Sequence, residues 1–239
     1  MNRRTGQLLM ATGIGHTLVS APETAHRGSR SAAGLRRASR RMGERKTSVA
    51  YAWGSTPEER VTPFPCDRHL AGAAEAYFRA LEIAAPPPVV FRWLCQLKVA
   101  PYSYDWIDNF GRRRPQCLTL GLAELAVGQR FMMFFKLVEF EPDRHLTLLV
   151  NLPIATVLFG DLAVSYVVFP RAGSRLVVKL LLRYPRGPVG WAQRWLLPWG
   201  DLLMMRKQLL SLKRLAEAEA RAGRHRTRTT DGAKLRAVR

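Results

Sequence analysis

Tyr102, Tyr104 and Trp106 alternate with Ser103 and Asp105 in the run "YSYDWIDN". Rings with polar tips can hold an apolar ligand by its body while the phenols and Asp105 orient its oxygen. The same residues also read as packing, with Trp106 and one tyrosine anchoring a short helix that Asp105 or Asp108 caps. Acid–base chemistry needs a titratable group in an apolar pocket, where desolvation moves its pKa toward working pH. The candidates are Asp105, Glu139, His145 and Asp161. His145 follows Pro142, Asp143 and Arg144, which places it in a solvent-facing hairpin turn. Asp161 follows Gly160 as a strand-entry residue, and Glu139 can sit on either face of its strand.

Several chemistries are excluded. His16, His69 and His225 lie outside the expected domain or at its rim, so no Ser–His–Asp or Cys–His set forms. There is no GxGxxG or GxxxxGK[ST] pattern for nucleotides. Cys66, Cys95 and Cys117 lack CxxC spacing and paired histidines, which argues against a disulfide framework and a zinc site. Free buried or half-buried thiols in a reducing cytoplasm, with no metal or other cofactor, are the expectation.

The elements that must position these groups follow from periodicity. "AYFRALEIAA" alternates as a strand, with Tyr77, Arg79, Leu81 and Ile83 on one face and Phe78, Ala80, Glu82 and Ala84 on the other. Pro86, Pro87 and Pro88 end it, and a helix over about 88–97 gathers Val90, Phe91, Leu94 and Leu97. A second short helix near Ser103–Asn109 is expected, then an ambiguous edge strand or loop over 116–127. "QRFMMFFKLVEF" reads as one β-strand broken at Pro142-Asp143, with Phe131, Met133 and Phe135 facing inward because Lys136 faces water. Together with the Met204–Met205 pair, these residues are suited to line a permissive pocket or to fill a core. "RHLTLLVNL", "GDLAVSYVVFP" and "SRLVVKLLLRY" are the remaining strands.

The longest helical pattern ends the ordered part. Asp201 after Gly200 reads as its N-cap, with Leu202, Met205, Leu209, Leu212 and Ala216 as the buried stripe, widened by Leu203 and Leu210. Trp191, Trp195 and Trp199, four apart, form an aromatic ridge before that cap, and Pro198 predicts a kink or break.

The net charge of +20 sits largely in the ends: residues 1–50 carry +8 and residues 221–239 carry +6. A basic, disordered extension over 1–68, a folded domain over 69–220 and a basic tail over 221–239 are therefore predicted. The apolar start after Arg3 and Arg4 has the order of a signal peptide, but Gly13, Gly15 and His16 interrupt it. A spurious extension, with Met42 as the start, is the simpler expectation. No run reaches the roughly 18 apolar residues that a membrane-crossing helix needs. Arginine in excess of lysine suggests a GC-rich bacterial genome.

Strand, short helices, antiparallel strands and a long terminal helix define an α+β fold. The segments "IAAPPPVVFRWL", "PYSYDWIDN", "FGDLAVSYVV", "SRLVVKL" and "LLPWGDLLMMRKQLLSLKRLAE", in this order over about residues 75–220, resemble the SRPBCC superfamily, the START-like helix-grip fold. Within it they are similar to the bacterial polyketide cyclase/dehydrase-like branch. The resemblance implies a curved antiparallel sheet wrapped around a long C-terminal helix. It also implies a cavity between them, which relatives use for lipids, sterols, polyketides or plant hormones. The expected function is to bind a small hydrophobic or amphipathic ligand, with Tyr102, Tyr104, Asp105, Trp106, Phe131, Met133 and Phe135 as its contacts. A polyketide cyclase or dehydratase with a pocket acid or base (Asp105, Glu139 or His145) is the enzyme alternative. The third reading is a basic adaptor whose tails make weak contact with anionic membrane or nucleic acid.

Overall fold

The computed structural model describes residues 48–73, 75–102, 115–119 and 121–237, with the backbone alone at 158 and over 226–237. All of them belong to one unit, Gly43–Arg239. Tyr104, Asp105, Trp106 and the helix expected near Ser103–Asn109 lie outside the described residues.

Six antiparallel strands form one sheet: β1 (Glu75–Ile83), β2 (Arg130–Phe131), β3 (Phe135–Glu141), β4 (His145–Val150), β5 (Asp161–Pro170) and β6 (Ser174–Arg183). Their spatial order is β1-β6-β5-β4-β3-β2, so only β1 and β6 join across a long connection. The helices are α1 (Val49–Ala52), α2 (Pro57–Val61), α3 (Cys66–His69), α4 (Pro87–Cys95), α5 (Pro153–Phe159) and α6 (Pro188–Ala237). A 3₁₀ turn over Gln96–Lys98 extends α4. This is the α+β helix-grip arrangement: a curved sheet with a long C-terminal helix across its inner face.

Strand alternation divides the interior. Tyr77, Leu81, Leu148, Val164, Tyr166, Val178 and Leu180 point inward, onto Val90, Leu94 and Leu97 of the α4 region and Leu209, Leu212 and Ala216 of α6. The opposite face carries Phe78, Ala80, Ala163, Val177 and Leu181, and it is covered as well, by Phe64, Cys66 and Leu70. The central strands β5 and β6 are therefore covered on both sides, and β6 is buried along all but its last residue.

That outer cover corrects the predicted boundary at residue 69. The folded unit includes α1–α3, each too short to show a helical period. A capping box at Thr56 and Glu59 starts α2. Glu59 then pairs with Arg175 at 2.8 Å, and Asp67 pairs with Lys179 at 2.6 Å. Residues 52 and 53 also bridge to Phe78 and Arg79, shielding the β1 edge. At the other end, α6 continues as helix to Ala237, where a disordered tail from residue 221 was expected.

Two further expectations are overturned. The run Gln129–Phe140 is a tight hairpin and not one strand: Phe131 pairs with Phe135 across a turn in which Met132 and Met133 have φ of 44° and 66°. Met133 is thereby thrown outward, and 52% of its surface is exposed. The Met132 amide donates to the Leu97 carbonyl, and the Phe134 ring packs on Phe135 and Phe159. Packing thus holds a backbone that β-propensity does not foresee. The second is the helix start: α6 begins at Pro188 and runs through Pro198, so Asp201 is an interior residue and not a cap.

A compact turn places α5 beside the sheet. Gly160 has φ of 78°, and a Cβ there would lie 2.4 Å from the Arg183 carbonyl oxygen, so only glycine fits.

If residues 48–70 are an integral wall of the domain, Phe64→Ala lowers unfolding free energy by about 3 kcal/mol. Denaturant titration measures this, and a loss below about 0.5 kcal/mol would mean the segment is dispensable.

Candidate functional site

Between the inner face of the sheet and the first half of α6 lies a cavity of about 270 Å³. The sheet contributes Val164 and Tyr166 from β5, Leu180 and Leu182 from β6, and Tyr77 from β1. The β2–β3 turn contributes Met132 and Phe134, and α5 contributes Phe159. Leu197, Gly200, Met204 and Met205 close it from α6. These side chains meet because inward positions of neighbouring strands stand side by side: Val164 pairs with Leu180, and Leu162 with Leu182.

The walls are apolar except around a small polar group. Tyr166 donates its hydroxyl to Gln208 Oε1 at 2.8 Å, and Gln208 Nε2 donates to the Pro101 carbonyl at 2.6 Å. Asp201 projects from α6 into the same space, its Oδ2 2.7 Å from Arg79 Nη2. Arg79 is fully buried, and its guanidinium also donates to the Phe78 and Ala50 carbonyls. Burial pushes the Asp201 carboxyl up to about 6, against the pull of Arg79. Burial likewise raises the Tyr166 phenol, so it remains a neutral donor at any physiological pH. At a second corner the Tyr77 and Tyr184 hydroxyls bond one another, and the Tyr184 hydroxyl reaches Glu75 at 3.2 Å. Chemically, this site can desolvate an apolar body and present a neutral phenol, an amide and a carboxyl that titrates near neutrality.

The residues singled out from sequence are scattered. Phe135 lies on the cavity wall, together with its neighbours Met132 and Phe134. Phe131 is fully buried in the same core but does not face the cavity. Met133 belongs to a second pocket, with Lys136 and Asn151. Tyr102 is buried, its ring edge-on to Trp93 at 6.2 Å, and it is not among the cavity-lining residues. Tyr104, Asp105 and Trp106 lie outside the described residues.

The acid–base candidates Glu139 and His145 sit on the outer face of the sheet, away from the cavity. Their partners in β-pairing, Thr147 and Val167, are outer-face positions. His145 is half-buried at the first position of β4, 3.4 Å from Glu139, where a solvent-facing turn residue was expected. Glu139 also bonds Arg68 and, at 2.8 Å, His69. Partial burial works to raise the Glu139 carboxyl, but the bonds and charges of His69, Arg68 and His145 outweigh it and leave it below the usual range. Asp161 opens β5 and pairs loosely with Arg183 at 3.5 Å.

Cys66 and Cys95 are buried, and burial raises both thiols to about 11; Cys117 is exposed, outside the buried or half-buried range expected. Among the described residues, no group of three His, Cys, Asp or Glu is placed to hold a metal ion. Likewise no described helix is long and apolar enough to cross a membrane.

The polar residues missed from sequence were Asp201, Tyr166, Gln208 and Arg79. One signal was present. Arg79 interrupts an otherwise apolar strand face, and a buried cation requires an anion. Asp201 is the only acid between residues 184 and 216.

Fold and site together define a helix-grip protein with a small, partly open apolar cavity. No family model matches the chain, and no curated protein does. Similar solved structures include a protein from Mesorhizobium loti, at 18% identity and TM-score 0.42, covering 60% of this chain and 98% of that one. Another is from Chromobacterium violaceum, at 15% identity and TM-score 0.40, covering 59% and 96%. The di-domain ARO/CYC StfQ from the steffimycin biosynthetic pathway matches at 16% identity and TM-score 0.38, covering 62% of this chain and 51% of that one. At these scores the fold assignment stands on the strand order and the helix of this chain.

A pH dependence follows from Asp201. Its folded value of about 6 exceeds the ordinary 3.8, so the folded state holds this proton more tightly than the unfolded chain. The stability so contributed is complete below about 3.8 and is lost as pH rises through about 6. The melting temperature of the wild type should therefore fall relative to Asp201→Asn between those values. Parallel melting curves would show that Arg79 keeps Asp201 ionised throughout.

Proposed function

We propose that the protein binds a small hydrophobic or amphipathic ligand between its sheet and α6, as an SRPBCC-like carrier or receptor in a reducing cytoplasm. The single observation behind this reading is the cavity of about 270 Å³, apolar over nearly all of its wall and polar at Tyr166, Gln208 and Asp201. Its volume falls just below the roughly 300 Å³ at which pockets for drug-sized ligands begin. That size favours a compact ligand, such as one or two fused rings or a short acyl chain, over a whole phospholipid. Each buried methylene contributes about 0.8 kcal/mol before ordering costs, and a ligand oxygen at the Tyr166–Gln208 end sets the orientation. Tyr104, Asp105 and Trp106 are proposed as further contacts of the same ligand.

A second reading is favoured by one group. Asp201, with a carboxyl near 6 inside an apolar space, has the property a general acid or base needs. On that reading the walls restrict a poly-β-keto chain while Asp201 moves protons, in a cyclase or dehydratase. Its ion pair with Arg79 serves binding equally well, so turnover of a supplied substrate, abolished in Asp201→Asn, distinguishes the two.

The binding reading is tested with N-phenyl-1-naphthylamine, whose fluorescence rises on transfer from water. Leu180→Trp fills the space and should weaken binding at least about tenfold while keeping a cooperative unfolding transition. Tyr166→Phe should weaken binding of an oxygen-bearing ligand about fivefold, corresponding to one lost hydrogen bond. Equal probe binding by wild type and Leu180→Trp would move the binding site elsewhere. Native mass spectrometry of protein from its own host identifies the ligand directly.

A further inference from the structure

The Trp191–Trp195–Trp199 ridge is not used by the cavity, and it is not buried. Exposure is 68% at Trp191, 56% at Trp195 and 60% at Trp199, with Leu196 at 70% and Leu203 at 58%. At 100° per residue these five share the face of α6 opposite Gln193, Leu197 and Asp201, which point toward the sheet. The outer side of the first four turns of α6 is thus an exposed apolar stripe, a pattern that marks a contact surface for protein or lipid. On α5, Ile154 and Val157 are also exposed, at 64% and 69%. α5 touches α6 on its other side, where Gln193 donates to the Val157 carbonyl at 3.4 Å.

The charge around this patch identifies its occupant. Residues 151–160 carry no charge, and between 184 and 216 the only acid is Asp201, which is turned inward onto Arg79. On α6 and the residues leading into it the exposed charges near the patch are positive, namely Arg186, Arg194, Arg206 and Lys207, and the nearby Asp161 is paired with Arg183. A second copy of this chain would set those cations, and a net charge of +20, against their like. An anionic bilayer surface complements both features. Tryptophan favours the headgroup boundary, leucine and isoleucine enter the acyl region, and arginine stays at the phosphates.

We infer that the outer face of α6 over residues 189–203 docks the protein on anionic lipid membranes. The protein lies on the surface and does not span it. Leu197, Gly200 and Met204 line the cavity on the inner side of the same turns. Docking therefore sets the cavity one helix thickness from the lipid. The inference does not depend on what fills the cavity.

The test uses the full-length chain with vesicles of phosphatidylcholine containing about one-third phosphatidylglycerol. Wild type should co-sediment with them, and lipids brominated in their acyl chains should quench its tryptophan fluorescence. Trp195→Ala/Leu196→Ala and Trp199→Ala alter no charge and only exposed side chains. Each should weaken binding at least about tenfold and remove most of the quenching, while N-phenyl-1-naphthylamine binding without vesicles stays at the wild-type level. A residual wild-type affinity should persist in about 0.5 M salt, where charge attraction is screened. No binding by wild type overturns the inference. So does equal, fully salt-reversible binding by wild type and variants, which would assign the contact to the basic ends. A wild-type dimer that these variants dissociate in the absence of lipid also overturns it, making the face a self-contact. Probe uptake is read separately, so none of these outcomes decides the cavity reading.

Discussion

The buried ion pair between Arg79 and Asp201 is the constraint on which the rest of the structure turns. Arg79 stands on the inner face of the edge strand β1 and is fully enclosed. One guanidinium nitrogen meets Asp201 on α6 at 2.7 Å and the Ala50 carbonyl of α1 at 2.8 Å. Sheet, terminal helix and N-terminal segment are therefore tied at one point. Burial opposes the Asp201 charge and Arg79 offsets that cost, so removing Arg79 leaves the carboxylate buried without a counter-charge. The pair is directional, so it fixes where α6 crosses the sheet more sharply than apolar contact alone can.

That crossing keeps the interior from closing. Farther along α6 the grip is tight: Glu219 accepts from Arg92 at 2.6 Å and from the Trp93 indole at 2.8 Å, and Lys213 donates to the Glu82 carbonyl. Leu209, Leu212 and Ala216 fill the space beneath. Nearer the start of α6, long side chains such as Met204 and Met205 and the Tyr166–Gln208 bond stand where a continuous apolar core would otherwise form. A well-packed half thus holds a hollow half open, and a cavity in a folded domain needs that rigidity around it. The outer face obeys a different logic. Glu139 bonds Arg68 and His69 there and lies 3.4 Å from His145, so groups that look catalytic by residue type are partners on the outer face.

Much of the fold was legible because strand alternation and helical spacing report local geometry. The inward set on β1, the apolar face of α4 and the strand limits of β4, β5 and β6 all follow from residue order. The cover over the outer face was also indicated. In "SRLVVKLLLR" the inner positions Leu176, Val178, Leu180 and Leu182 are apolar, while Val177 and Leu181 between Arg175, Lys179 and Arg183 are the one apolar sign on the outer face. The elements that supply it, α1–α3, were invisible because four or five residues cannot display a period. The Met132–Met133 turn was hidden because nothing in two methionines signals a left-handed backbone.

Residue order by itself determined that strands, a proline-started helix and a long terminal helix would exist, because propensity and periodicity act over a few neighbouring residues. It also determined the tryptophan ridge, since four-residue spacing needs no partner. Tertiary structure alone decided that Asp201 faces Arg79 across 122 positions and does not cap a helix. It decided too that Phe134 lines the cavity while Met133 leaves it. Those choices depend on the energy of pairing and packing between distant segments, and no local pattern contains that energy.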